Sequence, residues 1–169
     1  MRIDPDPAGS ETALLGQYLD HQRETMLLKT DGLTQAQMAQ KHAPSELTLA
    51  GLLYHLALVE ETWMEVRFAG LPEREPWGGV DWDTDPDWEF RTACDLQPEQ
   101  LRRRYTDACE RSRRVEAKAT GLDQLSTQPL RSGQHFSLRW VLLHLIEETA
   151  RHAGHADFLR EAIDGSVGE

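Results

Sequence analysis

The sequence predicts an all-α protein: a four-helix bundle whose second and third helices are joined by a long crossover loop. Three observations carry that prediction. Apolar residues recur at steps of three and four over four separate stretches, the spacing that lines one face of a helix. Each stretch opens on a residue suited to begin a helix: Ser10, Thr48, Pro98 and Ser137. No stretch alternates as a half-buried strand would, and there is no internal repeat or low-complexity segment.

The elements follow in order. The 169 residues suit one domain with a real core, so 1–169 is expected to be a single unit with 1–9, ending in DPDPAG (Asp4 to Gly9), as a flexible lead-in. Ser10 then caps a first helix carrying Leu14, Leu15, Tyr18, Leu19, Met26 and Leu27, which ends near Asp31-Gly32. A short helical turn from Thr34 leads to Ala43-Pro44. Thr48 caps a second helix, LAGLLYHLALVEETWMEVRFAG, which stops at Gly70; its inward seam is Leu49, Leu52, Leu56, Val59, Trp63 and Val66. Leu71 to Leu96 differs in character, with three prolines, two adjacent glycines and Trp77, Trp82 and Trp88. So long a connection without periodicity is unusual in a compact domain. It is long enough to span the bundle, so the helices it joins are expected to run parallel. A third helix runs from about Pro98 to Lys118, with Leu101, Tyr105, Ala108 and Val115 turned inward. After another loop at 120–135, Ser137 caps a long fourth helix that closes at Gly165.

Composition narrows the function. With 39% apolar and 28% charged residues the chain is of globular type, and its net charge of −11 would repel a phosphate backbone. No nucleic acid is expected as a partner. Cys94 and Cys109 form no CxxC pair, so they read as two reduced thiols rather than a disulfide framework or thiolate zinc site. The N-terminal MRIDPDPAGSE lacks the apolar core of a signal peptide, and no run approaches a membrane span. No membrane association is expected, and the cytoplasm is the simplest location.

The chemistry concentrates in HLIEETARHAGH, His144 to His155. Counting the fourth helix by threes and fours gives Leu138, Val141, Leu145, Glu148, His152, His155, Leu159 and Ala162, so three ionisable residues continue an apolar seam. On the second helix, His55 lies beside its seam, three after Leu52 and four before Val59. Charged groups in an apolar interior are costly unless paired or bound to a cation. One glutamate and two or three histidines converging from two helices would satisfy a divalent metal. The same residues would also serve as a hydrogen-bonded buried network, with Glu148 paired to an arginine such as Arg151, and spacing does not separate the two. His144 falls off the seam and is expected to be partly exposed or supporting; His21, His42 and His135 carry no signal. DWDTDPD lacks the glycine and terminal glutamate of a calcium loop. The runs Arg102-Arg103-Arg104 and Arg111 to Arg114 read as the solvated face of the third helix.

HLIEETARHAGHADFLRE resembles the last-helix signature of the DinB-like superfamily of metal-binding four-helix bundles, in which two ligands four residues apart precede a small residue and a glycine. Glu148 and His152 occupy the paired positions, Ala153-Gly154 follows, and LLYHLALVE places His55 at the second-helix position. The resemblance covers nearly the whole chain. The acidic tryptophan loop DWDTDPDWEF and the ending HAGHADFLREAIDG are similar to the branch grouped as mycothiol S-transferases. The Glu-x-x-x-His pair also resembles mycothiol-dependent maleylpyruvate isomerase, whose additional C-terminal domain this chain is too short to carry. The commoner pair is His-x-x-x-His, and the departure leaves zinc, nickel, iron and manganese all open as the ion.

The resemblance implies a metal held by His55, Glu148 and His152, and a thiol cosubstrate, mycothiol, whose thiolate attacks a small electrophile. His155, where relatives carry another polar residue, would be a fourth ligand, a group supporting the ligands or a substrate contact, the last two ranking above the first, and it is the candidate to orient the thiol or move its proton. The rival from another class is a non-catalytic metal-binding bundle, acting as a stress-associated dimer or small-ligand binder. Hydrolysis by a metal-bound water ranks below thiol transfer. A homodimer through outer helix faces is expected. The three loop tryptophans serve either as a lid over an apolar acceptor pocket or as anchors for the crossover.

Overall fold

The computed structural model describes residues 2–168. Among these the regular structure is helical: α1 Glu11–Lys29, α2 Gln35–Met38, α3 Leu49–Glu60, α4 Trp88–Ala93, α5 Pro98–Glu116 and α6 Leu138–Asp164, with one isolated bridge between Leu125 and Ser137. α1, α3, α5 and α6 are the four long elements. Their starts are chemically marked. Ser10 accepts from the Ala13 N–H, Thr48 from Gly51 and Ser137 from Trp140, each satisfying an amide the first turn leaves unpaired. Pro98 opens α5, and Gly165 closes α6 at φ 77°, a left-handed turn that favours glycine.

Cross-helix contacts fix the directions. Glu11 meets Arg139 at one end of α1 and α6, and Lys29 meets Asp157 at the other, so these two are parallel. Tyr54 lies under Arg104 and Glu61 pairs with Arg111, so α3 and α5 are parallel too. Asp20 with Arg113 and Thr30 with Arg102 make α1 antiparallel to α5. The chain therefore runs up, down, down, up, and the segment between α3 and α5 is the crossover its length predicts.

Four differences from the sequence expectations have physical causes. First, α3 continues as a π-helix over Glu61–Phe68. Its wider turn closes backbone bonds such as Ala69 N–H to Met64 C=O, and buried positions advance by five, from Val59 to Met64 and from Glu60 to Glu65. Trp63 and Val66, expected inward, are only half-buried. Second, the crossover is not structureless: it holds a 3₁₀ turn at Trp77–Gly79 and the six-residue α4. Third, the arginines of α5 are not all solvated. Arg111 bridges Glu61 and Glu65, Arg113 holds Asp20, and Arg104 stacks over Tyr54 and Trp77, while Arg103 and Arg114 stay exposed. Fourth, the N-terminal segment lies along α1, tied by reciprocal hydrogen bonds of 2.8 Å between Asp6 and Gln17.

The apolar core forms two clusters, one around Met26, Leu52, Leu56, Tyr105 and Ala156 and one around Leu19, Met64, Phe68, Val141 and Leu145. Buried Arg23, Glu60, Ser112 and Thr149 occupy the level between them. There Arg23 grips Glu60 with two bonds of 2.6 and 2.7 Å, the bidentate geometry a buried ion pair needs. Cys109 sits beside this pair, 3.8 Å from Glu60, and burial pushes its thiol far above the ordinary range. Both cysteines are free. No helix among the described residues is long and apolar enough to cross a membrane.

Candidate metal centre

α3 and α6 run antiparallel, and where they cross, His55 meets Glu148 and His152. Each of the three offers a ligand atom, and these atoms all lie within 4.8 Å of one another. His55 Nε2 is 3.4 Å and His152 Nε2 is 3.2 Å from the same oxygen, Glu148 Oε1. Side-chain exposures of 20%, 17% and 12% for His55, Glu148 and His152 leave the cluster shielded but reachable.

His155 stands apart. It is exposed, with Nδ1 3.3 Å from His152 Nδ1, on the rim rather than the inward face. The seam expectation failed here because a straight helix at 3.6 residues per turn drifts from a strict seven-residue repeat. The buried stripe of α6 passes through Leu142, Leu145, Thr149, Ala153 and Ala156, and Ala162 is exposed as well. Glu148 and His152 thus lie at the edge of the buried stripe, where side chains can be both held and solvated.

Sequence reasoning missed Glu89. It belongs to α4, is 4% exposed, and places Oε1 3.1 Å from His55 Nδ1. Phe90, the next residue, stacks on the His55 ring with centroids 5.0 Å apart. The crossover's contribution to the site is therefore a carboxylate and a phenyl ring. Its tryptophans act as anchors: Trp77 is buried against Tyr54 and Trp88, and Trp82 packs on Trp88. Its aspartates do not converge, since Asp81 caps Thr84 and Asp85 pairs with Arg91.

Of the other histidines, His42 lines a cavity together with His155, and three lie elsewhere. His144 packs between Trp63 and Trp140, and burial lowers its basicity. His21 and His135 face the backbone carbonyls of Ile3 and Ser126. Arg151 is exposed and reaches Glu148 only at 3.8 Å, so the histidines are the glutamate's nearer partners.

Protonation suits the cluster to a cation. Burial pushes the Glu148 carboxyl up, but the His55 hydrogen bond and the charges of His152 and His55 outweigh it and hold it below the usual range. Burial, then the neighbouring His55 charge, lowers His152 against the pull of Glu148. Both directions favour the ligating forms, a carboxylate and a deprotonated, neutral imidazole. A neutral imidazole has a single N–H. His55 faces a carboxylate oxygen at each ring nitrogen, so one of those contacts sets lone pair against lone pair unless a proton or cation lies between. The donor set of two imidazoles and a carboxylate matches what divalent ions take.

Two cavities flank the site and share Leu47. One of about 280 Å³ is lined by His155, Phe158 and Leu159; the other, of about 670 Å³, by Phe90, Thr48 and Cys94 with Lys41 and Arg91 at its edge.

A family model described as Mycothiol-S-transferase matches residues 14–165. No curated protein sequence matches the chain significantly. Among solved structures, a conserved protein from Enterococcus faecalis superposes with a TM-score of 0.69 at 16% identity, covering 94% of this chain and 100% of that one. That likeness concerns the fold.

Proposed function

The chain belongs to the mycothiol-S-transferase family, within the DinB-like bundles, and from that premise we propose that it is a divalent-metal-dependent thiol S-transferase. It joins a low-molecular-weight thiol of the mycothiol kind to a small electrophile. The observation that carries this reading is the convergence of His55, Glu148 and His152 within 4.8 Å on two antiparallel helices. Three protein ligands with no fourth among the described residues is the pattern of a catalytic rather than a structural site. The same pattern weighs against the non-catalytic bundle.

A divalent ion in this donor set supplies a Lewis acid that lowers a thiol's pKa and presents sulfur as thiolate at neutral pH. The ion would be zinc, nickel, iron or manganese. The chain's own residues do the rest. His155 takes the thiol proton and passes it to solvent, a role supported by its exposed position beside His152. Leu47, Phe158 and Leu159 offer an apolar wall for the electrophile next to it. The sulfur's electron pair forms the new S–C bond, and the electrophile's leaving group departs with the pair it was bonded through. The reading places the protein in the cytoplasm as a homodimer, supported by the exposed apolar residues Tyr18, Trp140 and Leu143 on the neighbouring helices α1 and α6.

The test is conjugation of mycothiol to a chlorinated aromatic or bimane acceptor, followed by mass spectrometry of the product, with metal-loaded and chelator-stripped protein. Metal-dependent S-conjugate is the expected result. Product formed equally by both preparations, or by neither, contradicts the proposal.

A further inference from the structure

The crossover delivers a buried carboxylate whose role the three-ligand site leaves unexplained. Glu89 is 4% exposed, and a buried anion is costly unless compensated. Among the described residues no lysine or arginine pairs with it. Its one ion-pair partner is His55 Nδ1 at 3.1 Å, and its second oxygen, Oε2, is buried without a hydrogen bond. A lone imidazole N–H is thin compensation for a buried carboxylate. It becomes adequate when positive charge is held at the far side of the ring.

The geometry puts that far side where the charge would be. Nδ1 faces Glu89 while Nε2, across the ring, faces Glu148 Oε1 at 3.4 Å. Glu89 does not join the cluster of ligand atoms and so stands behind the ring, with Phe90 stacked on its face. Ring rotation is thereby opposed on two sides.

Building on the metal-centre reading, we infer that Glu89 is a positioning residue that holds the proton of His55 on Nδ1 and aims the Nε2 lone pair at the ion. A carboxylate behind a ligating histidine fixes its tautomer and raises its basicity, and such partners carry about 10–100-fold in metal affinity. The crossover loop thus sets the metal centre's affinity without supplying a ligand.

The experiment uses the full chain with zinc alone as the probe. Zinc dissociation constants come from competition with a fluorescent chelator, and the His55 tautomer from long-range ¹H–¹⁵N correlations on the zinc-loaded protein. Wild type is expected to carry the proton on Nδ1. The isosteric Glu89→Gln, which keeps an acceptor and loses the charge, raises the dissociation constant about 10-fold. Glu89→Ala raises it toward about 100-fold and loses the single tautomer. A purely structural Glu89 would lower the unfolding midpoint while leaving zinc affinity and tautomer unchanged, and that outcome overturns the inference alone. Wild type that holds no zinc overturns the metal centre and the inference together.

Discussion

His155 separates two kinds of residue in this protein. His55, Glu148 and His152 are held by one another and by burial at the edge of the α3/α6 contact, whereas His155 is exposed and touches the cluster only through His152. On the proposed reading the first three bind the ion and the fourth handles a proton. His155→Ala is therefore expected to keep its metal while losing roughly 100-fold or more in turnover, the range of a proton-transferring side chain. Metal content and steady-state rates on the same preparation check this. Loss of the metal with the side chain would make His155 a ligand instead. The cluster was legible in the sequence because its members sit in helices whose registers are set by the side-chain caps Thr48 and Ser137. What the seam count misjudged was depth: steps of three and four treat Glu148, His152 and His155 alike, and helical drift carries the last of them out to solvent.

At the scale of elements, the crossover between α3 and α5 was read correctly in length and consequence but not in content. Its parallel partners follow from its span. Glu89 did not, because α4 has only six residues, no side-chain cap at Asp87 and no periodic apolar pattern. Its position is set by tertiary packing, with Trp77 and Trp88 clamped about Tyr54. The π-helical continuation of α3 was hidden for a similar reason. Its register follows Glu61 and Glu65 inward to Arg111, a partner distant in sequence. Trp77→Ala is expected to cost about 3–5 kcal/mol of unfolding free energy, as large aromatic truncations in cores do, and to weaken metal binding by loosening α4. Denaturant titration and chelator competition read the two effects. A loss below about 1 kcal/mol would show that the crossover is anchored by something other than this ring.

For the molecule as a whole, the up, down, down, up order explains why the site lies where it does. It brings the middle of α3 against the middle of α6 and lets the α3–α5 connection cover the back of His55. The net charge of −11 fits a small-molecule enzyme better than a nucleic-acid binder. Two polar layers result: the paired Arg23 and Glu60 in the middle of the bundle, and His55, Glu148, His152 and Glu89 nearer one edge, where imidazoles are the nearest partners of both carboxylates and exposed Arg151 reaches Glu148 only at 3.8 Å. The contrast between the two layers is what supports the proposal that the second binds a cation. The measurement that tests it most directly is metal content by mass spectrometry after reconstitution and desalting, for wild type and His152→Ala. The account predicts about one divalent ion per chain in wild type, as one three-ligand site requires, and its loss in the variant. No ion in either protein would leave the cluster a buried polar network and contradict the metal centre.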